Sequence, residues 1–307
     1  AGSRLQGPVA LYRGVLRVGG VIEGPVTVIN GSLILLPGAR ITGSVLVVGG
    51  KLTKQEGSTL DGEERVYWDL APVAKSGDGT LTLQETPDLE TLGMAKASFG
   101  VGKTRTTLHA STGGTYDRIE GFPLEAGVGL DWRATKRDLI KLDLTGIVRT
   151  TTDNTDSRSD FGYRAKAEWR RSGEVSYGFG GKAWSFIDVI PDQTLSRVES
   201  GWSSILFQED QYDYYDAQGL GLYGYLIPAR QFRVDLGWDY IEQSSVPAND
   251  PWSLFINESK WRPNPLIDDG DFGITTASAT LNTRDSDRQP AVGWFAKAGV
   301  EFGESDD

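Results

Sequence analysis

Cysteine is absent from the 307 residues, and histidine and methionine occur once each, as His109 and Met94. Without cysteine there is neither a disulfide framework nor a thiolate metal site. With a single histidine, a histidine-based triad or a multi-histidine metal centre has almost nothing to work with, so His109 reads as a strand or loop residue. Positive charge is short as well. The formal net charge is -11, which argues against a nucleic-acid partner because phosphate binding needs a basic surface. No window approaches the ~20 consecutive apolar residues of a transmembrane helix. The chain starts at Ala1 with no charged segment followed by an apolar one, so either a signal peptide has been removed or this is an internal piece of a longer chain.

What the chain has is glycine and aromatic residues: 39 Gly, 13 Pro, 9 Trp, 11 Tyr and 11 Phe. The mean hydropathy of -0.31 suits a soluble protein. It suits a transmembrane barrel equally, because only alternate residues of a barrel strand face lipid.

The first third repeats itself. Ile22-Glu23-Gly24-Pro25-Val26-Thr27-Val28-Ile29 aligns with Ile41-Thr42-Gly43-Ser44-Val45-Leu46-Val47-Val48, and Gly31 with Gly50 and Leu33 with Leu52 continue the register. Upstream, Leu5-Gln6-Gly7-Pro8-Val9 matches Ile22-Glu23-Gly24-Pro25-Val26. A repeat near twenty residues predicts a solenoid, whose units bury their apolar faces only against neighbours. Short β-branched runs between glycine corners predict a β-helix. The runs Ile22-x-Gly24-x-Val26-x-Val28 and Ala39-x-Ile41-x-Gly43-x-Val45, with the Val48-Gly49-Gly50 step, resemble the right-handed β-helix of bactofilins. The resemblance covers about residues 5–64, and a plug, cap or spacer is favoured over a polymerising module. Open coil ends also invite contact with other envelope proteins. Residues 65–94 read as a linker, with Ser76-Gly77-Asp78-Gly79 and Pro87 as punctuation and a short strand through Thr80-Leu81-Thr82-Leu83.

From residue 95 onward, strands alternate. Leu124, Ala126, Val128, Leu130 and Trp132 share one face, as do Phe161, Tyr163, Ala165, Ala167 and Trp169, then Phe232, Val234, Leu236, Trp238 and Tyr240. Near the end, Val292, Trp294, Ala296, Ala298, Val300 and Phe302 repeat the pattern. About eight or nine strands are predicted and no helical period is visible. In a soluble sandwich or lipocalin-like barrel the apolar face would be the core. In an outer-membrane barrel it would meet lipid, and Arg164, Lys166, Glu168, Arg170, Arg233 and Asp235 would line the lumen. Strands of ~9–11 residues, aromatics near the ends of apolar faces, and mixed charge on the polar faces favour the membrane.

The turn Asn282-Thr283-Arg284-Asp285-x4-Pro290-x2-Gly293-Trp294 resembles the hairpin of the bacterial surface antigen family, the BamA/TamA-type outer-membrane barrels. Tyr116-Asp117-Arg118-Ile119-Glu120-Gly121 is similar to the Tyr-Asn-Arg-Val-Glu-Gly segment of related barrels. The resemblance marks Arg284, Asp285, Pro290, Gly293, Trp294, Arg118, Glu120 and Gly121 as motif residues with structural roles. Two further segments, Asp250-Pro251-Trp252-Ser253-Leu254 and Trp261-Arg262-Pro263-Asn264-Pro265, have a familial look but no evident mechanism.

Taken together, the expectation is an all-β chain. A short right-handed β-helix (1–64) and a linker (65–94) precede antiparallel transmembrane β-barrel strands (95–307). The strands are read as part of a larger barrel, with a split barrel or a small closed barrel of eight strands as alternatives. The family resemblance implies outer-membrane protein assembly, translocation or envelope scaffolding without bond chemistry, at the bacterial outer membrane with a periplasmic β-helix. A porin-like or structural barrel and a soluble β-helix plus β-sandwich binding protein are the other readings. The implied partners are the lipid bilayer and either a C-terminal half or another chain that completes the barrel. No cofactor, metal or catalytic residue is expected. Gly100-Val101-Gly102-Lys103-Thr104 ends like a phosphate loop but has Ala97 where glycine is needed. Asp210, Asp213 and Asp216 among Tyr212, Tyr214 and Tyr215 offer oxygen ligands at a spacing that matches no calcium loop.

Overall fold

The structure, a computed structural model, describes residues 3–68, 71, 73–75, 81–83, 94–151, 161–190, 196–256, 260–284 and 292–306. Two compact units emerge: residues 1–87 with 172–174, and residues 88–171 with 175–307.

The first unit is a β-solenoid of parallel strands: β1 (Arg4–Gln6), β2 (Val9–Val18), β3 (Val21–Glu23), β4 (Val26–Leu35), β5 (Arg40–Ile41), β6 (Val45–Val48), β7 (Leu52–Lys54), β8 (Thr59–Leu60) and β9 (Glu64–Tyr67). One sheet runs β1-β3-β5-β8 and the other β2-β4-β6-β9, with β7 paired to β4. The pairing reproduces the sequence repeats: Leu5 lies beside Ile22, Val9 beside Val26, Val26 beside Val45 and Leu33 beside Leu52. Alternate residues point inward, and Val26, Val28, Leu33, Leu35, Ile41 and Val47 are completely buried.

The coil corners align in the same way. Arg13, Asn30 and Gly49 occupy successive rungs in the left-handed region, at φ 59°, 54° and 64°. Each is followed by a glycine, and these stack. A Cβ on Gly31 would stand 2.6 Å from the Gly14 carbonyl oxygen, and one on Gly50 only 1.6 Å from that of Gly31. Glycine here is a steric condition for one rung to rest on the next. Beyond β9, Asn30 donates to the Ala71 carbonyl at 2.9 Å and accepts from its N–H at 2.8 Å, and β10 (Val73–Lys75) pairs antiparallel with β11 (Leu81–Leu83).

The second unit is one ten-stranded antiparallel sheet in sequential order: β12 (Met94–Val101), β13 (Thr104–Thr112), β14 (Leu124–Trp132), β15 (Asp138–Val148), β16 (Phe161–Arg171), β17 (Ser176–Val189), β18 (Tyr214–Ala229), β19 (Phe232–Ser245), β20 (Gly270–Asn282) and β21 (Phe295–Asp306). The count is ten where eight or nine were expected, because residues 95–110 do not form one strand. They fold back at Gly102-Lys103, with Gly102 at φ 61°, and Val101 pairs with Thr104. The glycine-rich run that resembled a phosphate loop is therefore a two-residue hairpin turn.

A second departure is helix α1 (Arg197–Phe207), in a region read as free of helix. Its N-terminus is a capping box. The Ser196 side chain accepts from the Glu199 N–H, and the Glu199 carboxylate accepts from the Ser196 N–H at 3.0 Å. The periodicity test missed it because its buried stripe is Ser200, Gly201 and Ser204, none of them apolar.

Each strand of the sheet alternates as the sequence predicts. Large apolar side chains gather on one face and are exposed there: Phe99, Leu144, Phe179, Leu222, Leu236 and Phe302 stand for the set. Within this unit no second sheet is formed by the described residues, so these side chains are not the core of a sandwich. The terminal strands β12 and β21 are each hydrogen-bonded to a single neighbour among the described residues. The two ends of the sheet differ. Short turns at 102–103, 133–137, 172–175 and 230–231 share one end with the 283–294 hairpin loop. The longer connections 113–123, 149–160, 190–213 and 246–269 share the other, where Met94 also begins β12.

Candidate functional site

The motif residues separate between these two ends. Arg118, Glu120 and Gly121 come together at the long-loop end. Arg284, Gly293 and Trp294 stand at the short-turn end, and Asp285 and Pro290 lie outside the described residues.

At the short-turn end the motif closes the neck of the last hairpin. Thr283 N–H donates to the Trp294 carbonyl at 2.8 Å, and Trp294 N–H donates to the Thr283 hydroxyl at 2.8 Å. Arg284 donates to Asn282 through its backbone N–H and its Nε, and its guanidinium stacks 4.4 Å from the Phe295 ring centroid. Gly293 has φ 111°, and a Cβ there would stand 2.4 Å from the Thr283 carbonyl oxygen. The described residues of the Asn-Thr-Arg…Gly-Trp pattern thus tie the two strands together at the neck of the hairpin.

At the long-loop end the segment Tyr116–Gly121 is a tight buried turn. Asp117 Oδ1 accepts from the N–H groups of Ile119 (2.8 Å) and Glu120 (2.7 Å), and Asp117 and Gly121 exchange backbone hydrogen bonds. Asp117 is a natural choice, since its short side chain satisfies the two N–H groups that the turn exposes. Gly121 has φ 67°, and a Cβ there would collide with the Thr150 and Thr151 hydroxyls, the nearer at 2.2 Å. Arg149 Nε donates to Glu120 Oε1 at 2.8 Å, and the Thr150 and Thr151 N–H groups donate to the Glu120 carbonyl.

The turn exists to present Arg118, whose side chain is wholly buried. Its guanidinium donates to the Tyr212 carbonyl at 2.6 Å and to Asn264 Oδ1 at 2.9 Å, reaches Asp213 at 3.3 Å, and lies 3.4 Å from Asp210 Oδ2. The ring of Tyr214 closes it from one side, 5.3 Å away. Asn264 is saturated: its Oδ1 also accepts from Tyr214 N–H, and its Nδ2 donates to the carbonyls of Tyr214 and Val246. Arg262 grips the same segment from outside, donating to the Tyr212 carbonyl and to Asp213. Asn249 binds the turn itself through the Arg118 and Ile119 carbonyls. One residue therefore ties together three connections that are far apart in sequence.

Charge is crowded here. Burial pushes the Asp117 carboxyl well above its usual range, and the neighbouring Glu120 and Asp210 push it further. Burial also raises Glu120, outweighing the opposing hydrogen bond from Arg149, and raises Asp210 against the pull of Arg118. Two of the three acids weighed as oxygen ligands serve as counter-ions. Asp210 and Asp213 face guanidinium groups, and Asp216 lies within β18.

The polar face of the sheet is the second feature. A cavity of about 680 Å³ opens on it, lined by side chains from β13 through β19, among them His109, Glu125, Arg164, Lys182, Tyr215 and Asp239. Arg164 pairs with Glu125, Lys182 meets Asp239 at 2.9 Å, and the Tyr223 hydroxyl donates to Glu168 at 2.8 Å. His109 lies 3.1 Å from the Thr145 hydroxyl, over Gly127, where a Cβ would be 2.5 Å from its ring. Among the described residues no group of three or more His, Asp and Glu side chains could hold a metal ion. The arrangement can hold water and ion pairs.

Comparison with family models, curated proteins and solved structures finds no match to the chain. Reading by sequence missed Asp210, Tyr212, Asn249 and Asn264 as partners of Arg118. The only signal was the pair of segments around Pro251 and Pro263, whose purpose the structure supplies. Trp261 Nε1 donates to the Pro251 carbonyl at 2.7 Å, and the Tyr116 hydroxyl donates to the Trp252 carbonyl.

Proposed function

We propose that this chain is an outer-membrane β-barrel protein of the surface-antigen type, carrying a bactofilin-like right-handed β-helix at its N-terminus. It acts in outer-membrane protein assembly, translocation or envelope scaffolding without making or breaking bonds. The observation that carries the reading is the sidedness of the ten-stranded sheet. Its large apolar side chains are exposed on one face, while ion pairs and a cavity occupy the other. In water such a face would be a severe aggregation liability. Against lipid tails it is the expected surface.

The dimensions agree. Leu124 to Trp132 on β14, paired with Val148 to Ile140 on β15 and then Phe161 to Trp169 on β16, spans nine residues. Eight rises of ~3.3 Å make about 26 Å, or about 20 Å along the membrane normal at a tilt of ~40°. A barrel's apolar band is ~25 Å tall. Trp132, Trp169 and Phe179 lie on one rung at one rim of the band, with Ile140 between the first two, and Phe161 and Tyr163 lie near the other, where an aromatic girdle belongs.

Two edges are left over. A strand edge in lipid has N–H and C=O groups that nothing satisfies, at several kcal/mol each. In the bilayer β12 and β21 must therefore pair, with each other, with further strands of a larger barrel or with another chain. An edge of this kind is also what an assembly factor offers a client strand. A porin-like role is the second reading, supported by the charged cavity.

Expression in a Gram-negative host with an outer-membrane signal, followed by fractionation, tests the proposal. Recovery in the outer-membrane fraction, resistant to urea extraction, is expected. Recovery in the aqueous fraction without detergent would overturn it in favour of the soluble reading. Ion conductance in planar bilayers would move the role toward a pore.

A further inference from the structure

Helix α1 is inverted for a helix on a soluble protein. The residues it buries are small, Ser200, Gly201 and Ser204, while Trp202 and Phe207 are 52% and 44% exposed. The small stripe lets the helix lie tightly on the loop below. A Cβ on Gly201 would come within 2.3 Å of Thr115, whose hydroxyl donates to the Arg197 carbonyl at 2.9 Å. The large residues are thereby turned outward. A second segment adds to them. Leu254 and Phe255 N–H groups donate to the Ile205 and Leu206 carbonyls at the helix C-terminus, and the Phe207 and Phe255 rings lie 6.0 Å apart. Leu254, Phe255 and Ile256 are exposed as well.

The position of this patch follows from strand parity. On β17, Tyr177 and Phe179 belong to the exposed apolar face, and the pairing with β18 continues without a register shift to Val189. Ile187 and Val189 therefore belong to that same face, yet Ile187 is buried against Ile119, Tyr212 and Val246, with Val189 packed beside it. The loop cluster that carries α1 thus covers the apolar face around Ile187 and Val189, on the rung that continues from Phe161 and beyond it. It forms a ledge at the long-loop rim of the band. Phe207, Leu254, Phe255 and Ile256 gather in one exposed apolar patch, and Trp202 is exposed about 140° further round the helix; beside a lipid-facing surface, such side chains have the composition of the headgroup zone, where amphipathic aromatic rings are most stable.

We infer that α1 and residues 252–256 form an interfacial anchor. Trp202, Phe207, Leu254 and Phe255 insert at the boundary between phospholipid headgroups and acyl chains. The inference rests on the membrane reading above and adds a specific lipid contact outside the strands.

Because the chain has no cysteine, single-cysteine variants can carry a nitroxide label. The full chain is reconstituted in phosphatidylcholine/phosphatidylglycerol vesicles, and depth is read from collision with oxygen and with a water-soluble nickel complex. Leu222→Cys reports on the middle of the band, Trp202→Cys and Phe255→Cys on the ledge, and Glu209→Cys on the water beyond. The expected order of oxygen-to-nickel accessibility is Leu222 highest, Trp202 and Phe255 intermediate, and Glu209 lowest. If Leu222 reports acyl chains while Trp202 and Phe255 report water, or are shielded from both colliders by protein, the anchor is overturned and the barrel stands. If Leu222 reports water, the barrel and the anchor fall together.

Discussion

The guanidinium of Arg118 and the carboxylate of Asp210, 3.4 Å apart, are both entirely buried, although 92 residues separate them in the chain. Arg118 N–H also donates to the Asp210 carboxylate at 3.1 Å, so backbone and side chain of one residue meet a single acid. The desolvation of this pair is offset by the carbonyls of Asp210 and Tyr212 and the side-chain oxygen of Asn264. Without those partners the pair would be destabilising.

Removing one member leaves the other charge buried alone. Arg118→Met is expected to destabilise the long-loop end by about 3–5 kcal/mol. Limited proteolysis in detergent should then cleave first within 113–123 or 246–256, and β-sheet content by circular dichroism should fall little. Arg118→Lys should be nearly as damaging, because an ammonium cannot reach Tyr212, Asn264 and Asp213 at once.

Burial raises the Asp117, Glu120 and Asp210 carboxyls in the folded state. A raised carboxyl contributes stability that is full below its unfolded pKa, ~4, and is lost as pH rises through its folded pKa. The long-loop end should therefore be more resistant to protease at pH 5 than at pH 8.5, after correction for the protease's own pH profile. In Glu120→Gln that difference should shrink.

The solenoid corners make opposite demands at neighbouring positions. Gly50→Ala places a Cβ 1.6 Å from the Gly31 carbonyl oxygen, and its cost should reach or exceed the top of the ~1–3 kcal/mol range for overpacking. Arg13→Gly removes the strain of a left-handed arginine, which costs ~1–2 kcal/mol, and should raise stability by about 1 kcal/mol despite losing the contact with Tyr12. Urea denaturation of the full chain, followed by hydrogen exchange of the β4 amides, reads both.

Leu222 and Leu236, about 60% exposed, discriminate between solvents. An exposed leucine in water tolerates arginine within ~0.5 kcal/mol. At the middle of a lipid-facing band the same change costs ~2–4 kcal/mol. Leu222→Arg should lower the yield of folded protein in vesicles by an order of magnitude or more, as read by protease-protected fraction. An unchanged yield would argue for water at that face.

Local pattern carried much of the architecture. Period-two alternation needs only neighbouring residues, so the apolar and polar faces from Leu124 to Phe302 could be read directly. The nineteen-residue repeat likewise placed Val26 beside Val45, as the rungs of the solenoid require. Where no local period exists, sequence reading failed. Helix α1 hides its contact surface in serine and glycine, and the turn at Gly102-Lys103 interrupts an apparently continuous strand. The sequence by itself determined which side chains share a face, because that follows from backbone geometry within one strand. Only the tertiary structure decided what Arg118 is for. Its partners come from 210–213, 249 and 264; the carbonyls of Asp210 and Tyr212 could come from any residue type, and Asp213 and Asn264 lie in connections far along the chain, so no local pattern announces them.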